Sequence, residues 1–209
     1  AMTLGIDRSW RRKVVKTAAA ASPRAILDVA TGTGDLAIQL ARAIPAANVT
    51  GIDLSEGMLS VGRRKVEEAG LSTRVTLLQG DCLKLPFPDG SFDVVTAAFG
   101  VRNFEHLDLG YAEMARVLRP GGTLIILELS VPSSPIVRPF YKLYTRGVIP
   151  LLGRLVSSDS RAYSYLPESI AAMPRGGKML DLMEGAGFTD CALRPLTLGV
   201  SSIYTGRKA

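Results

Sequence analysis

DVATGTGDLA, residues 28–37, is the stretch whose reading decides the fold. From Gly32 it runs Gly-Thr-Gly-Asp-Leu-Ala, a fit to the fingerprint G-x-G-x-x-G/A. An apolar run from Ala25 to Val29 precedes it, and a helix-like run from Leu36 to Ala43 follows it. Strand, glycine turn and helix in that order place the turn at the carboxyl end of a strand. Free N–H groups of the helix then meet whatever binds there, and Gly32 and Gly34 let the backbone come close to it. Asp53 arrives about 20 residues later, where a ribose-binding carboxylate belongs.

Working outward, strands and helices alternate. Arg24 to Ala30 reads as a strand and Asp35 to Ile44 as a helix. NVTGIDLS reads as a strand ending at Asp53 and Leu54, and EGMLSVGRRKVEEAG as a helix stopped by Gly70. RVTLLQGD is a third strand, and FPDGSFDVVTAAFG a turn followed by a fourth. LDLGYAEMARVLRPGG is an amphipathic helix ended by Pro120 and the Gly121-Gly122 pair, and TLIILELS a fifth strand. This alternation predicts an α/β, doubly wound fold, a parallel sheet with helices on both faces. After Ser130 the pattern breaks. Residues 131–175, rich in Pro, Tyr and Arg, read as an insertion covering the carboxyl ends of the strands. MLDLMEGAGF is a last helix, and TDCALRPL with GVSSIYTGRK a terminal pair of strands, read as a hairpin. No repeat, low-complexity tract or linker interrupts residues 1–209, which read as a single domain.

The glycine motif alone is divided evenly between a nicotinamide dinucleotide and S-adenosylmethionine (SAM). Three further features favour SAM. Asp28 lies inside the strand before the glycines, where a carboxylate suits a cationic amino-acid end and is poorly placed beside a pyrophosphate. Asp81 falls at the end of the third strand, placed to accept from the amine of an adenine, with Cys82 beside it. RVLRPGGTLII closes the helix before strand five.

Composition bounds the rest. Hydrophobic residues at 47% and charged residues at 21% are ordinary for a globular chain that buries a core. Cys82 and Cys191 are too few for a disulfide framework, so a reducing cytoplasm is expected. No apolar run reaches a membrane span, and no signal peptide opens the chain. Ala1 before Met2 reads as an addition, and the abrupt start raises the expectation of a further N-terminal segment. The net charge of +6 is gathered partly at Arg8 to Lys16 and Arg63 to Lys65, which read as solvated helix faces. Trp10 alone among aromatics joins the first cluster, so no stacking platform for nucleic acid is expected. No His/Cys cluster has metal-ligand spacing, strand four ends without an acid for a metal, and no Asn-Pro-Pro-aromatic tetrad or G-x-S-x-G elbow occurs.

The set LDVATGTGDLA, GIDLSEGML, GDCLKLPFPDGSFD and ARVLRPGG resembles class I SAM-dependent methyltransferases. TLGIDRSWRR, FGVRNFEHLDLGYAEMARVLRPGG and SSDSRAYSYLPESI extend the resemblance to the ubiquinone/menaquinone biosynthesis C-methyltransferase family, over Leu4 to Lys208. The resemblance implies a mostly parallel seven-stranded sheet with a terminal antiparallel strand. It implies methyl transfer from SAM to a ring carbon of demethylmenaquinol, or of the corresponding ubiquinol precursor. Gly32, Thr33 and Gly34 would contact the methionine end of SAM, Asp53 the ribose hydroxyls, and Met58 the adenine face. Asp81 and Cys82 would frame the adenine edge. Ala98 stands where some members carry a serine, so no side-chain contact to SAM is expected there. The family's further N-terminal segment helps to close the site.

A quinol ring carbon is a poor nucleophile until a ring hydroxyl loses its proton, so the site must stabilise a phenolate or supply a base. Arg102, just past strand four, is the expected stabiliser, directly or through a water held with Asn103. The competing reading pairs Arg102 with Glu105 or Asp108 at the surface. Asp159 and Tyr163 are candidates for hydroxyl contacts and for the base, against a reading as helix cap and packed aromatic. Glu128 is a weaker base candidate, and His106, the single histidine, reads as a surface turn residue. The stretch from Ser134 to Ser158 carries Arg138, Lys142, Arg146 and Arg154 among aromatics and aliphatics. It fits equally a membrane-surface face or ordinary packing. The expected partners are a prenylated quinol and the inner face of the membrane, with no nucleic acid; a homodimer is compatible with this reading. The rival readings are a methyltransferase of another phenol or lipid, a non-catalytic SAM-binding subunit and, more distantly, a nicotinamide-dependent oxidoreductase.

Overall fold

A computed structural model describes residues 5–132, 139 and 173–209. A helix, α1 (Ile6–Ala20), leads into β1 (Ala25–Val29), α2 (Asp35–Ala43), β2 (Asn48–Asp53), α3 (Glu56–Glu68) and β3 (Val75–Gln79). There follow β4 (Phe92–Ala98), a 3-10 turn (Val101–Asn103), α4 (Leu107–Val117) and β5 (Leu118–Leu129). After the undescribed stretch come α5 (Gly177–Gly185), β6 (Phe188–Leu196) and β7 (Ser201–Lys208).

The seven strands form one sheet in the order β3-β2-β1-β4-β5-β7-β6. The first five run parallel, and β7 pairs antiparallel with both β5 and β6. Both the winding read from the alternation and the antiparallel end implied by the resemblance are present. Within a strand, successive side chains serve opposite faces. Ile26 packs into the core beneath α1, α2 and α3, while Leu27 and Val29 join the core beneath α4 and α5. Chain order reverses between β1 and β4, and at such a switch point the carboxyl ends of neighbouring strands part to leave a crevice.

Two boundaries differ from expectation. The helix α4 stops at Val117, not at Pro120, because Leu118 already pairs with Phe92 and begins β5. The ladder then shifts register before Val94 pairs with Thr123, and that irregularity absorbs Pro120 and the two glycines. The basic cluster Arg8 to Lys16 is only half a solvated face. Trp10, Val14 and Ala18 repeat at helical spacing and are buried, so α1 is a cover helix packed on α2 and β5. Arg8, Arg12 and Lys16 remain on the outside.

Candidate active site

At the switch point lies a cavity of about 630 Å³, within the range of small-ligand sites. One wall is the loop after β1. It turns through three left-handed residues, Ala30 (φ 53), Gly32 (φ 58) and Gly34 (φ 72). The two glycines adopt this conformation without strain. Asp53, at the end of β2, fixes the loop: its Oδ2 accepts from the Gly32 N–H at 2.8 Å and its Oδ1 from the Ser55 N–H at 2.9 Å. A carboxylate has about four lone-pair sites, so each oxygen keeps one for a hydroxyl.

Thr33 lines the cleft, but its hydroxyl is engaged beside it, accepting from Lys65 Nζ at 3.1 Å and donating to Asp35 at 3.3 Å. Lys65 also pairs with Asp35 at 2.8 Å, which ties α3 to the first turn of α2. Met58 reaches over the loop, so that a methyl on Gly32 would stand 2.8 Å from its terminal carbon. It is 45% exposed and gives this side of the cavity an apolar edge. Asp81 and Cys82 line the same side, with Asp81 Oδ1 accepting from the Leu83 N–H at 2.8 Å. Burial pushes the Cys82 thiol up to about 11, so it is an apolar wall atom. Ala98 also lines the cavity.

The floor holds Asp28, which is buried and accepts from the hydroxyls of Thr31 at 2.6 Å and Thr96 at 2.7 Å. Burial raises its pKa to about 6, against the opposing pull of the two hydroxyls and of Arg11. The sequence marked Asp28 but gave no sign of Thr96, which belongs to β4, or of Arg11. Thr96 sits opposite Asp28 in the β1–β4 register, a pairing visible only once the strand order is known.

The far wall is the turn after β4. Arg102 and Asn103 both line the cavity. Arg102 pairs with neither Glu105 nor Asp108. Its Nη1 donates to Glu128 Oε1 at 2.8 Å and to the Phe99 carbonyl, and its backbone N–H donates to Glu128 Oε2 at 3.3 Å. Glu128 is 1% exposed, and burial raises its pKa while Arg102 and the Leu129 N–H pull it down. Phe99, which offers its carbonyl, is held left-handed at φ 61. The Arg102 Nε is buried with no hydrogen-bond partner. His106 stands at the N-terminal boundary of α4, exposed and without a side-chain bond to the helix end, outside the cavity lining. Asp159, Tyr163 and the stretch from Ser134 to Ser158, with its basic residues, lie outside the described residues.

A glycine loop fixed by an acid at the end of the neighbouring strand, in a sheet closed by an antiparallel hairpin, belongs to a methyltransferase of the doubly wound class. The family can be stated as well: the model of the ubiE/COQ5 methyltransferase family matches residues 1–208, and the chain belongs to that family. The chain is 50% identical to a demethylmenaquinone methyltransferase of Porphyromonas gingivalis, over 98% of this chain and 84% of that one. It is 43% identical to a ubiquinone/menaquinone biosynthesis C-methyltransferase of Geobacter sulfurreducens, over 99% and 81% respectively. Its fold is also that of a SAM-dependent methyltransferase from Aquifex aeolicus, at a TM-score of 0.66 and 19% identity, covering 89% of this chain and 82% of that one.

Proposed function

We propose that the chain methylates a ring carbon of demethylmenaquinol with SAM as methyl donor, and that Arg102 acts on the ring hydroxyl. Membership of the methyltransferase family and the names of its relatives support the reaction. The observation that carries the mechanism is one cavity with two differently equipped walls.

The donor set fits SAM. Asp53 retains acceptor capacity for two neighbouring ribose hydroxyls, Met58 offers an apolar cover for an adenine, and Asp28 places negative charge where an ammonium would lie. When bound, SAM supplies a methyl group on a positively charged sulfur. The chain must bring a carbon nucleophile in line with that group and exclude water. Arginine does not act as a base, since it keeps its proton at all working pH values. Arg102 instead donates to the ring oxygen, favouring loss of the hydroxyl proton to water; the phenolate so stabilised pushes electron density to the ortho carbon, which gives up its own proton to water once methylated. Glu128 lies behind Arg102, is buried and is absent from the cavity lining, which speaks against a role as base. It anchors the guanidinium, together with the Phe99 carbonyl. Asn103 stands beside Arg102 to hold a water or the second ring oxygen.

No helix among the described residues is long and apolar enough to cross a membrane. A prenylated quinol resides in a bilayer, so the chain meets its acceptor as a peripheral protein at the cytoplasmic face. The test is product mass after incubation with SAM and chemically reduced demethylmenaquinone, with the oxidised quinone as control. One added methyl on the reduced substrate alone is expected. Equal methylation of the oxidised form would refute the phenolate route, and transfer to neither form would refute the acceptor.

A further inference from the structure

We propose that Arg11, on the cover helix α1, receives the carboxylate of SAM and so selects a methyl donor that carries an intact amino-acid end. The proposal rests on the reading of SAM as the ligand of this cleft. That end of SAM is a zwitterion, with an ammonium and a carboxylate on one carbon. A site that takes it needs an acid and a cation a few ångströms apart. Asp28, at the floor, supplies the acid. The carboxylate would otherwise face a lining rich in its own charge, since Asp28, Asp35, Asp53 and Asp81 all border the cavity.

Among the described residues, two cations line the cavity, Arg11 and Arg102. Arg102 is bound to Glu128 on the far wall. Arg11 lies on the Asp28 side, near enough for its charge to act on that carboxyl. It is also held in place. Its guanidinium sits 5.4 Å from the centroid of the Phe99 ring, and that ring packs against Trp10 at 6.1 Å. Its Nη1 pairs with Asp7 one turn earlier on α1, and its side chain is 18% exposed. Asp7 engages one nitrogen of a planar fork of five N–H donors, and a carboxylate matches such a fork with two parallel bonds. An arginine held by stacking and by an acid on its own helix loses little freedom when a ligand arrives. Phe99 thereby serves both walls, its ring beneath Arg11 and its carbonyl on Arg102.

The experiment is calorimetric titration of the full chain and of Arg11→Met with SAM and with decarboxylated SAM, which lacks only the carboxylate. The wild type should prefer SAM at least tenfold, and Arg11→Met should weaken SAM about 30-fold, the worth of a charge-assisted bidentate contact. Decarboxylated SAM should bind the two proteins within about threefold of each other. Arg11→Lys should restore part of the SAM affinity. Equal loss for both ligands would assign Arg11 to packing and overturn the proposal. Equal wild-type affinity for the two ligands would overturn it without reference to any variant. A wild type that binds neither would overturn the SAM reading itself, and the role of Arg11 with it.

Discussion

On the Asp53 side of the cleft the carboxylates of Asp28 and Asp53 bond to backbone or hydroxyl groups, and among the described residues no buried side-chain atom there is left over. Across the cleft, Arg102 keeps a buried Nε without a partner, the one such atom among the described residues. The donor wall is knit across the sheet as well as along the chain: Asp53 accepts from Ser55 and Gly32, Asp28 from Thr31 and Thr96, and Thr33 meets Asp35 and Lys65. The acceptor wall depends on Arg102 and Glu128, 26 residues apart and on different strand ends, plus a left-handed Phe99. The donor wall is therefore complete before a ligand arrives. Each wall holds one non-glycine residue left-handed, Ala30 on one side and Phe99 on the other, but only the acceptor wall carries a desolvated ion pair, a cost that a bound phenolate would offset.

This contrast can be sharpened or broken by substitution. The largest effect is expected at Asp53. Asp53→Ala frees the Gly32 and Ser55 N–H groups and would remove the two hydroxyl contacts proposed for Asp53, so SAM affinity should fall on the order of 10³-fold by calorimetry. Glu128→Ala should act on the other wall and on stability. Breaking a buried pair strands the Arg102 charge, and a urea titration should show a loss of about 3 kcal/mol. The double variant with Arg102→Met should recover most of that loss. An additive double variant would show that the pair is not the source.

A smaller effect follows from Asp28. Its carboxyl, raised from 3.8 to about 6, takes up a proton in the folded chain before it does in the unfolded one. This group's contribution to stability therefore grows as pH falls from about 6 to 3.8, and shrinks as pH rises again. Ligand binding should run the opposite way. SAM affinity should weaken as pH drops through about 6, and Asp28→Asn should flatten that dependence. A wild-type affinity constant across this range would remove Asp28 from the ammonium site. The smallest effect is expected at the surface. Glu56 pairs with Arg63 in open solvent, and Glu56→Ala should leave the thermal midpoint within about 1 °C and the rate unchanged.

The two walls also differ in how far they could be read in the sequence. Asp28, the glycines, Asp53 and Asp81 stand at strand ends, and strand ends show as the places where apolar runs stop. The Arg102 side chain was visible, but its partner was not. Glu105 and Asp108 lie near it in sequence, whereas Glu128 reaches it only because β4 and β5 are adjacent and parallel. The end of α4 was misplaced for a related reason. Pro120 and the glycine pair look like a helix stop, yet pairing between Leu118 and Phe92 draws the chain into the sheet earlier. Arg11 was hidden inside a basic cluster. The apolar spacing of Trp10, Val14 and Ala18 marks the buried face, and Arg11 lies on its flank, a signal the charges obscured.

The most direct test of the division of labour is one pair of measurements on Arg102→Ala: SAM affinity by calorimetry, and methyl transfer to reduced demethylmenaquinone at saturating SAM. SAM affinity should stay within about threefold of wild type while the turnover rate falls by about 10²- to 10³-fold. Loss of SAM affinity in parallel with turnover would place Arg102 on the donor wall and contradict the account.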